Sequence, residues 1–446
     1  MRRAAGPSPG TPPGVPEVRP VPVTMHWICS PAGLLSVVAL PAVAWTLLLP
    51  PESFPELFGQ PAFLDGELRR AALVNVAVLL VACAVGAPHR LGRGTTIELD
   101  GPRARWLDQA VRSLAFVTFA AYAIWLVLAV VRGLRLSAVT ALISGTSGSM
   151  YVLRHEYLQT VGGVTTWMQL GAVVVPLAVL RARAGIRRAR TVVVPLVLLA
   201  LLRAVLNSER LALIEVVGSG LLAYLVLRPE PPRVLRGALG SARTIVGAWV
   251  ALFLLFGFFE FFRSWATVRG SYQGSFWAYS QNLLLGYYAT ALNNAGFDHY
   301  LLGASRLPSA LFEGDVYSAV FGPSPIAGAA KVYGLEIYTN RSGVLTPYVA
   351  LGAIGGALLL VVVGIGMNAL ARRVARGGVV ALAVYCASSV GLLEIARIFY
   401  YGSSRFLPVV AAALVLSTWF RIVESRPRSD RSDPVVAAAR AGGPAT

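Results

Sequence analysis

The chain has 446 residues, 56% hydrophobic and 13% charged, with a mean hydropathy of +0.65. Its apolar runs approach the ~20 residues that cross a bilayer core, which excludes an ordinary soluble domain and points to an all-α polytopic membrane protein. The net charge of +18 rests on 38 arginines and one lysine, Lys331, mostly in short connections between the apolar runs; basic residues placed that way report topology and speak against a nucleic-acid partner.

Residues 1–27 form a proline-rich tail with Arg2, Arg3 and Arg19, expected to be disordered and cytoplasmic. Ten spans are expected after it, at roughly 28–50, 71–87, 110–131, 162–180, 191–206, 211–227, 244–262, 346–370, 378–395 and 405–421. Seven of these fall in 28–262 and three in 346–421, and an Arg/Ser/Asp-rich tail over 422–446 completes the chain. Ala42-Val43-Ala44 imitates a signal-peptidase site, but apolar sequence continues through it, so the first span reads as an uncleaved anchor. With the N-terminus inside, the cytoplasmic segments carry 24 Lys/Arg against 13 outside, so both termini are expected to be cytoplasmic.

Residues 191–227 as one helix would be about 55 Å long, well beyond a bilayer core of roughly 30 Å. The chain must therefore turn near Asn207-Ser208-Glu209-Arg210, the polar cluster available. That places ionisable groups near the outer membrane surface, where they line a cavity more cheaply than they face lipid.

An outer segment of 83 residues, 263–345, separates the seventh and eighth spans and holds 14 aromatic residues beside few charges. A disordered linker would be poorer in aromatics and richer in charge. Phe276, Tyr279, Leu283, Tyr287 and Ala291 recur at helical spacing, predicting an amphipathic helix to about Asn293 that lies flat in the interface. Phe321 to Gly328 reads as a turn, and Gly343 to Gly356 leads into the eighth span.

Cys29, Cys83 and Cys386 lie in separate apolar segments without ligand spacing, so they read as core residues, with no metal site expected. No Walker A loop, HExxH or dinucleotide fingerprint is present, which speaks against ATP-driven transport and zinc chemistry.

Several outer-side constellations carry chemistry. Arg210 follows Glu209 at the start of a short span and can grip a phosphate bidentately, against the blander reading that it snorkels to headgroups. Arg203 and Asn207, four residues apart, face the same cavity if the helix continues through them, and Glu215 lies deeper. Tyr338, Asn340 and Arg341 precede the eighth span; Glu394, Arg397 and Arg405 belong to the turn between the ninth and tenth. Asp298 and His299 are the acid/base candidates of the large outer segment, although a lone histidine is more often structural. Asp65, in Asp65-Gly66-Glu67, reads as surface charge.

Across roughly 190–420 this pattern resembles the bacterial O-antigen and oligosaccharide repeat-unit polymerases, the Wzy-like group related to O-antigen ligases. The matching pieces are the short span opening at Ser208-Glu209-Arg210-Leu211-Ala212-Leu213, the large outer segment, and the return through Tyr338-Thr339-Asn340-Arg341 into Leu345-Thr346-Pro347-Tyr348. The resemblance implies a GT-C-like architecture and a metal-independent, cofactor-free glycosyltransferase on the outer face of the plasma (inner) membrane. Its substrate would be a polyprenyl-pyrophosphate-linked glycan within the lipid bilayer, and its partner a chain-length regulator protein. Arg210 with Glu209, Asp298 and His299 would be catalytic, and Arg341, Arg397, Arg405, Asn340, Tyr338 and Arg203 would bind substrate. The alternatives are a ligase, which hands the glycan to another acceptor, and a lipid-linked glycan flippase.

Overall fold

The computed structural model describes residues 18–86, 95–143, 146, 152–207, 209–230, 237–302, 308–312 and 339–425. Ser208, the Phe321–Gly328 turn, Tyr338 and most of both expected tails lie outside these residues.

The chain is mostly helical, with one two-stranded antiparallel sheet among the described residues. Its strands are β1 (Val21–Val23) and β2 (Thr95–Ile97), with Val21 opposite Ile97. Val21, Val23, Met25 and Ile97 are all buried, which gives the end of the expected tail a packed strand instead of solvent. Apart from the single turn Ala266–Val268, the α-helices among the described residues are α1 (Pro31–Val37), α2 (Ala39–Leu48), α3 (Ser53–Phe58), α4 (Gly66–Ala84), α5 (Gly101–Val131), α6 (Leu136–Ile143), α7 (Gly171–Arg183), α8 (Arg190–Leu206), α9 (Arg210–Val226), α10 (Gly237–Glu260), α11 (Phe276–Leu302), α12 (Thr346–Ala375), α13 (Val379–Leu393) and α14 (Leu407–Ser425). Asp65 is not a free surface charge: it is the N-cap of α4 and accepts from the Leu68 amide at 2.8 Å, satisfying a donor that the helix leaves open. Asp100 caps α5 in the same way, accepting from the Arg103 amide at 3.1 Å.

Among the described residues, five helices are long and apolar enough to cross a membrane: Gly101–Val131, Thr165–Arg183, Ala242–Trp265, Thr346–Ala375 and Ser404–Ser425. A sixth is the α1–α2 pair, bent by 42°, if both parts make one span. The other four expected spans correspond to shorter or more polar helices. α8 and α9 have 17 residues each, a rise of about 25 Å, and α13 has 15. α4 carries Glu67, Arg69 and Arg70 in its first turns.

The expected break near residue 207 is present: α8 ends at Leu206, α9 begins at Arg210, and the two helices pack on one another. α13 is nearly all buried and touches α1, α7, α9, α12 and α14. Ala381, Ala383, Ala387, Ser388, Ser389 and Gly391 keep its surface small enough for that many neighbours. The first turns of α12 are broken at Gly352, whose φ of 79° and ψ of −179° suit glycine alone.

The outer-segment helix differs most from expectation. α11 runs to Leu302, nine residues past Asn293, and folds back along α10 as an αα-hairpin. Ring pairs Phe261–Phe276 (5.8 Å), Phe253–Trp277 (5.6 Å) and Trp249–Tyr288 (5.7 Å) stitch the two helices together. Every residue from Tyr288 to Asp298 is buried, against α2, α3 and α12. Its aromatics thus meet rings of α10, and Ala289, Ala291, Ala295 and Gly296 let its second half enter the bundle. Asn293 fastens it there, accepting from the Phe63 and Leu64 amides at 2.7 and 3.2 Å and donating to the Pro61 carbonyl at 2.8 Å.

Candidate functional site

Four sequence-distant pieces converge: the α8–α9 break, α11, residues 339–345 and the 394–406 connection. Gly343 shows how closely they meet, because a Cβ there would run into the Ile398 carbonyl, next to Arg397. The arginines picked out in the sequence are all at this convergence, in three separate ion-pair groups.

In the first group, Arg203 near the end of α8 pairs with Glu209, whose Oε1 also holds Arg405 Nη2 at 2.7 Å. Arg405 Nη1 lies 3.3 Å from Glu215 Oε2, and the Tyr400 hydroxyl donates to Glu215 Oε1 at 3.0 Å. Turned with its nitrogen toward Glu215, the Gln169 amide accepts from Arg405 at 3.0 Å and Arg203 at 3.3 Å. Two guanidiniums thus meet a fully buried carboxylate, Glu215, and a half-buried one, Glu209. A buried acid is tolerable only with such partners. Arg203 and Arg405 act on these acids and are absent from the pocket lining described next.

The second group surrounds Arg210, the first residue of α9. Its guanidinium pairs with Glu260 at the end of α10, and Glu260 also meets Arg263 Nη1 at 3.5 Å and the Ser264 hydroxyl. The guanidinium carbon lies 3.8 Å from the centre of the Phe256 ring and 5.3 Å from that of Tyr287. Arg210 is 7% exposed, and its buried Nη1 has no hydrogen-bond partner. Arg397 also stands at the Tyr287 ring: it donates to the Tyr287 hydroxyl and holds Glu394 Oε2 by Nε at 2.6 Å. Arg210, Tyr287, Glu394 and Arg397 line one narrow pocket with a cavity volume of about 20 Å³, with Phe256, Leu284 and Tyr288 among its apolar walls. Three guanidiniums here meet two carboxylates, Glu260 and Glu394, which leaves a formal excess of one positive charge.

The pocket does not end in polar surroundings. Tyr288 also lines an apolar cleft of about 280 Å³ with Ala42, Trp45, Trp249 and Leu285. Leu284 lines a second cleft, of about 440 Å³, with Ile245, Trp249 and Phe253.

The third group is Asp298 with Arg341. Residues 339–345 are tied to α11 there, since Asn294 Nδ2 donates to the Asn340 carbonyl at 3.0 Å and the Ser342 amide to the Ala291 carbonyl at 2.9 Å. Asn340 thus contributes its backbone. Asp298 Oδ1 is buried without a hydrogen-bond partner. Burial pushes this carboxyl up to about 6, against the opposing pull of the Arg341 guanidinium. His299 is partly exposed, with its ring 5.7 Å from that of Tyr348, and Tyr348 donates to Glu67 at 2.7 Å. Asp298 follows Tyr287 by eleven residues on one helix, a rise of about 16 Å. One reacting bond cannot lie beside both.

Sequence reading missed Tyr287, Glu260 and Phe256 as parts of the arginine pocket. A signal existed for Glu260, an acid closing an apolar run with Arg263 three residues on. Tyr287 carried none, because aromatic spacing on a helix says nothing about which cations face it. Among the described residues no three His, Cys, Asp or Glu side chains group as metal ligands. Compared with known proteins, the chain matches no family model, no curated protein and no solved structure.

Proposed function

We propose that this chain is a membrane glycosyltransferase that polymerises polyprenyl-pyrophosphate-linked oligosaccharide repeat units on the outer face of the plasma membrane, with both termini cytoplasmic. The observation that carries the reading is the buried, unpartnered Arg210 Nη1 in a pocket shared with Arg397. A guanidinium left short of one acceptor has a place for an anion. The adjoining clefts are walled by Trp249, Trp45, Leu285 and Phe253, so the pocket fits an anionic head whose remainder is apolar. A lipid-linked pyrophosphate has that chemistry.

Negative charge grows on the pyrophosphate as the glycosidic bond breaks, and fixed cations in a water-poor site stabilise that change more than they stabilise the ground state. Arg210 and Arg397 supply the cations, and Tyr287 contacts both. The Arg203, Glu209, Arg405 and Glu215 group braces the first turns of α9, which carry Arg210. The Asp298–Arg341 pair holds residues 339–345 against α11.

The test is a mass-spectrometric profile of carrier-linked glycans in a deletion strain and in Arg210→Ala, with the two leaflets distinguished. Single repeat units accumulating outside while longer chains vanish is the expected result. Full-length carrier-linked chains would replace this reading with a ligase, and single units trapped inside with a flippase.

A further inference from the structure

We infer that Glu394 takes the proton from the acceptor hydroxyl, an assignment that rests on the glycosyl-transfer reading above. Cations for the leaving group do half of the work; the attacking hydroxyl also needs a proton acceptor within hydrogen-bond reach.

The carboxylates at the convergence can be compared oxygen by oxygen. Both oxygens of Glu209 are held by Arg405 and Arg203. Those of Glu215 are held by Tyr400 and Arg405. Glu260 gives Oε1 to Arg210 and Oε2 to Ser264. Asp298 has an unpartnered oxygen, but it sits about 16 Å along α11 from Tyr287, which contacts both cations.

Glu394 differs on both counts. Its Oε2 holds Arg397, no hydrogen bond reaches Oε1 among the described residues, and its side chain lines the Arg210–Arg397 pocket. Its backbone fixes it as well: the Glu394 carbonyl accepts from the Arg397 amide at 2.8 Å and the Ile398 amide at 2.9 Å. One closed turn therefore presents an acid and a cation side by side, three residues apart.

The step balances as a single displacement. The acceptor oxygen forms its bond to the anomeric carbon as the bond from that carbon to the phosphate oxygen breaks. The electron pair leaves with the pyrophosphate toward Arg210 and Arg397, and the hydroxyl proton passes to Glu394 Oε1. Loss of that proton to water restores the carboxylate.

Two measurements separate this role from mere support of Arg397. Membranes of the deletion strain, which hold their own carrier-linked repeat units, are supplied with the full-length protein, and conversion to longer chains is timed by mass spectrometry. Binding of polyprenyl pyrophosphate is measured on the purified protein in lipid nanodiscs. Glu394→Gln is expected to slow conversion by about a hundredfold or more while carrier binding stays within about threefold. Glu394→Asp should recover part of the rate. A Glu394→Gln protein that converts at the wild-type rate, or loses carrier binding in step with rate, overturns the assignment. The parent reading fails differently: Arg210→Ala and Arg397→Ala would then bind polyprenyl pyrophosphate as wild type does.

Discussion

The Arg397 guanidinium carbon lies 4.6 Å from the centre of the Tyr287 ring, and Nη1 of the same arginine donates to the Tyr287 hydroxyl. The ring faces Arg210 at 5.3 Å. One side chain of α11 thus contacts two cations that repel each other, and its ring quadrupole offsets part of their repulsion.

Removal of the hydroxyl and removal of the ring should therefore have different sizes. Tyr287→Phe loses one hydrogen bond, on the order of 0.5–1.5 kcal/mol, and is expected to weaken polyprenyl pyrophosphate binding about threefold to tenfold. Tyr287→Ala also removes the contacts with both guanidiniums, each worth roughly 0.5–2 kcal/mol, and should weaken binding well beyond the Phe variant. Titration of the three proteins in nanodiscs checks this ordering. Equal affinities would mean that the cations keep their places without Tyr287.

Arg405 is expected to matter for stability where Arg210 matters for binding. It is the cation that both Glu209 and Glu215 share, and Glu215 is fully buried. Arg405→Ala leaves buried carboxylates short of a partner, and breaking a buried pair from one side costs roughly 3–5 kcal/mol. The variant should melt well below wild type in detergent. Adding Glu215→Gln, which removes the orphaned charge, should recover a large part of the loss. Additive losses in the double variant would show that the two groups do not interact.

The break at residues 207–210 and the paired arginines of the 394–406 turn were legible because the causes are local: a span too long for the bilayer, and ionisable residues too costly to face lipid. What the arginines do was not legible. Arg405 joins Glu209 and Glu215 across almost two hundred residues, whereas Arg397, eight residues earlier, joins Tyr287 in another group. Charge placement along a chain says that partners are required; only packing assigns them. α11 was misjudged for a related reason. Its aromatic spacing marks an apolar face, but whether that face meets lipid or the rings of α10 depends on a hairpin closed by Phe261, Phe276 and Trp265.

Asp298 gives the 339–345 attachment to α11 a pH signature. Burial lifts its carboxyl from 3.8 to about 6 even with Arg341 alongside. The folded protein thus holds this proton more tightly than the unfolded chain does. The resulting stabilisation is complete below about pH 4 and is lost as pH rises through about 6. Asp298→Asn cannot titrate, so the melting temperature of wild type relative to this variant should fall over that window and level off above about pH 7. Arg341→Ala removes the one opposing charge and should move the window to higher pH, because only the guanidinium restrains the shift. A melting difference that stays constant from pH 4 to pH 7 would mean that water or another donor reaches Oδ1, and that this carboxylate is ionised throughout.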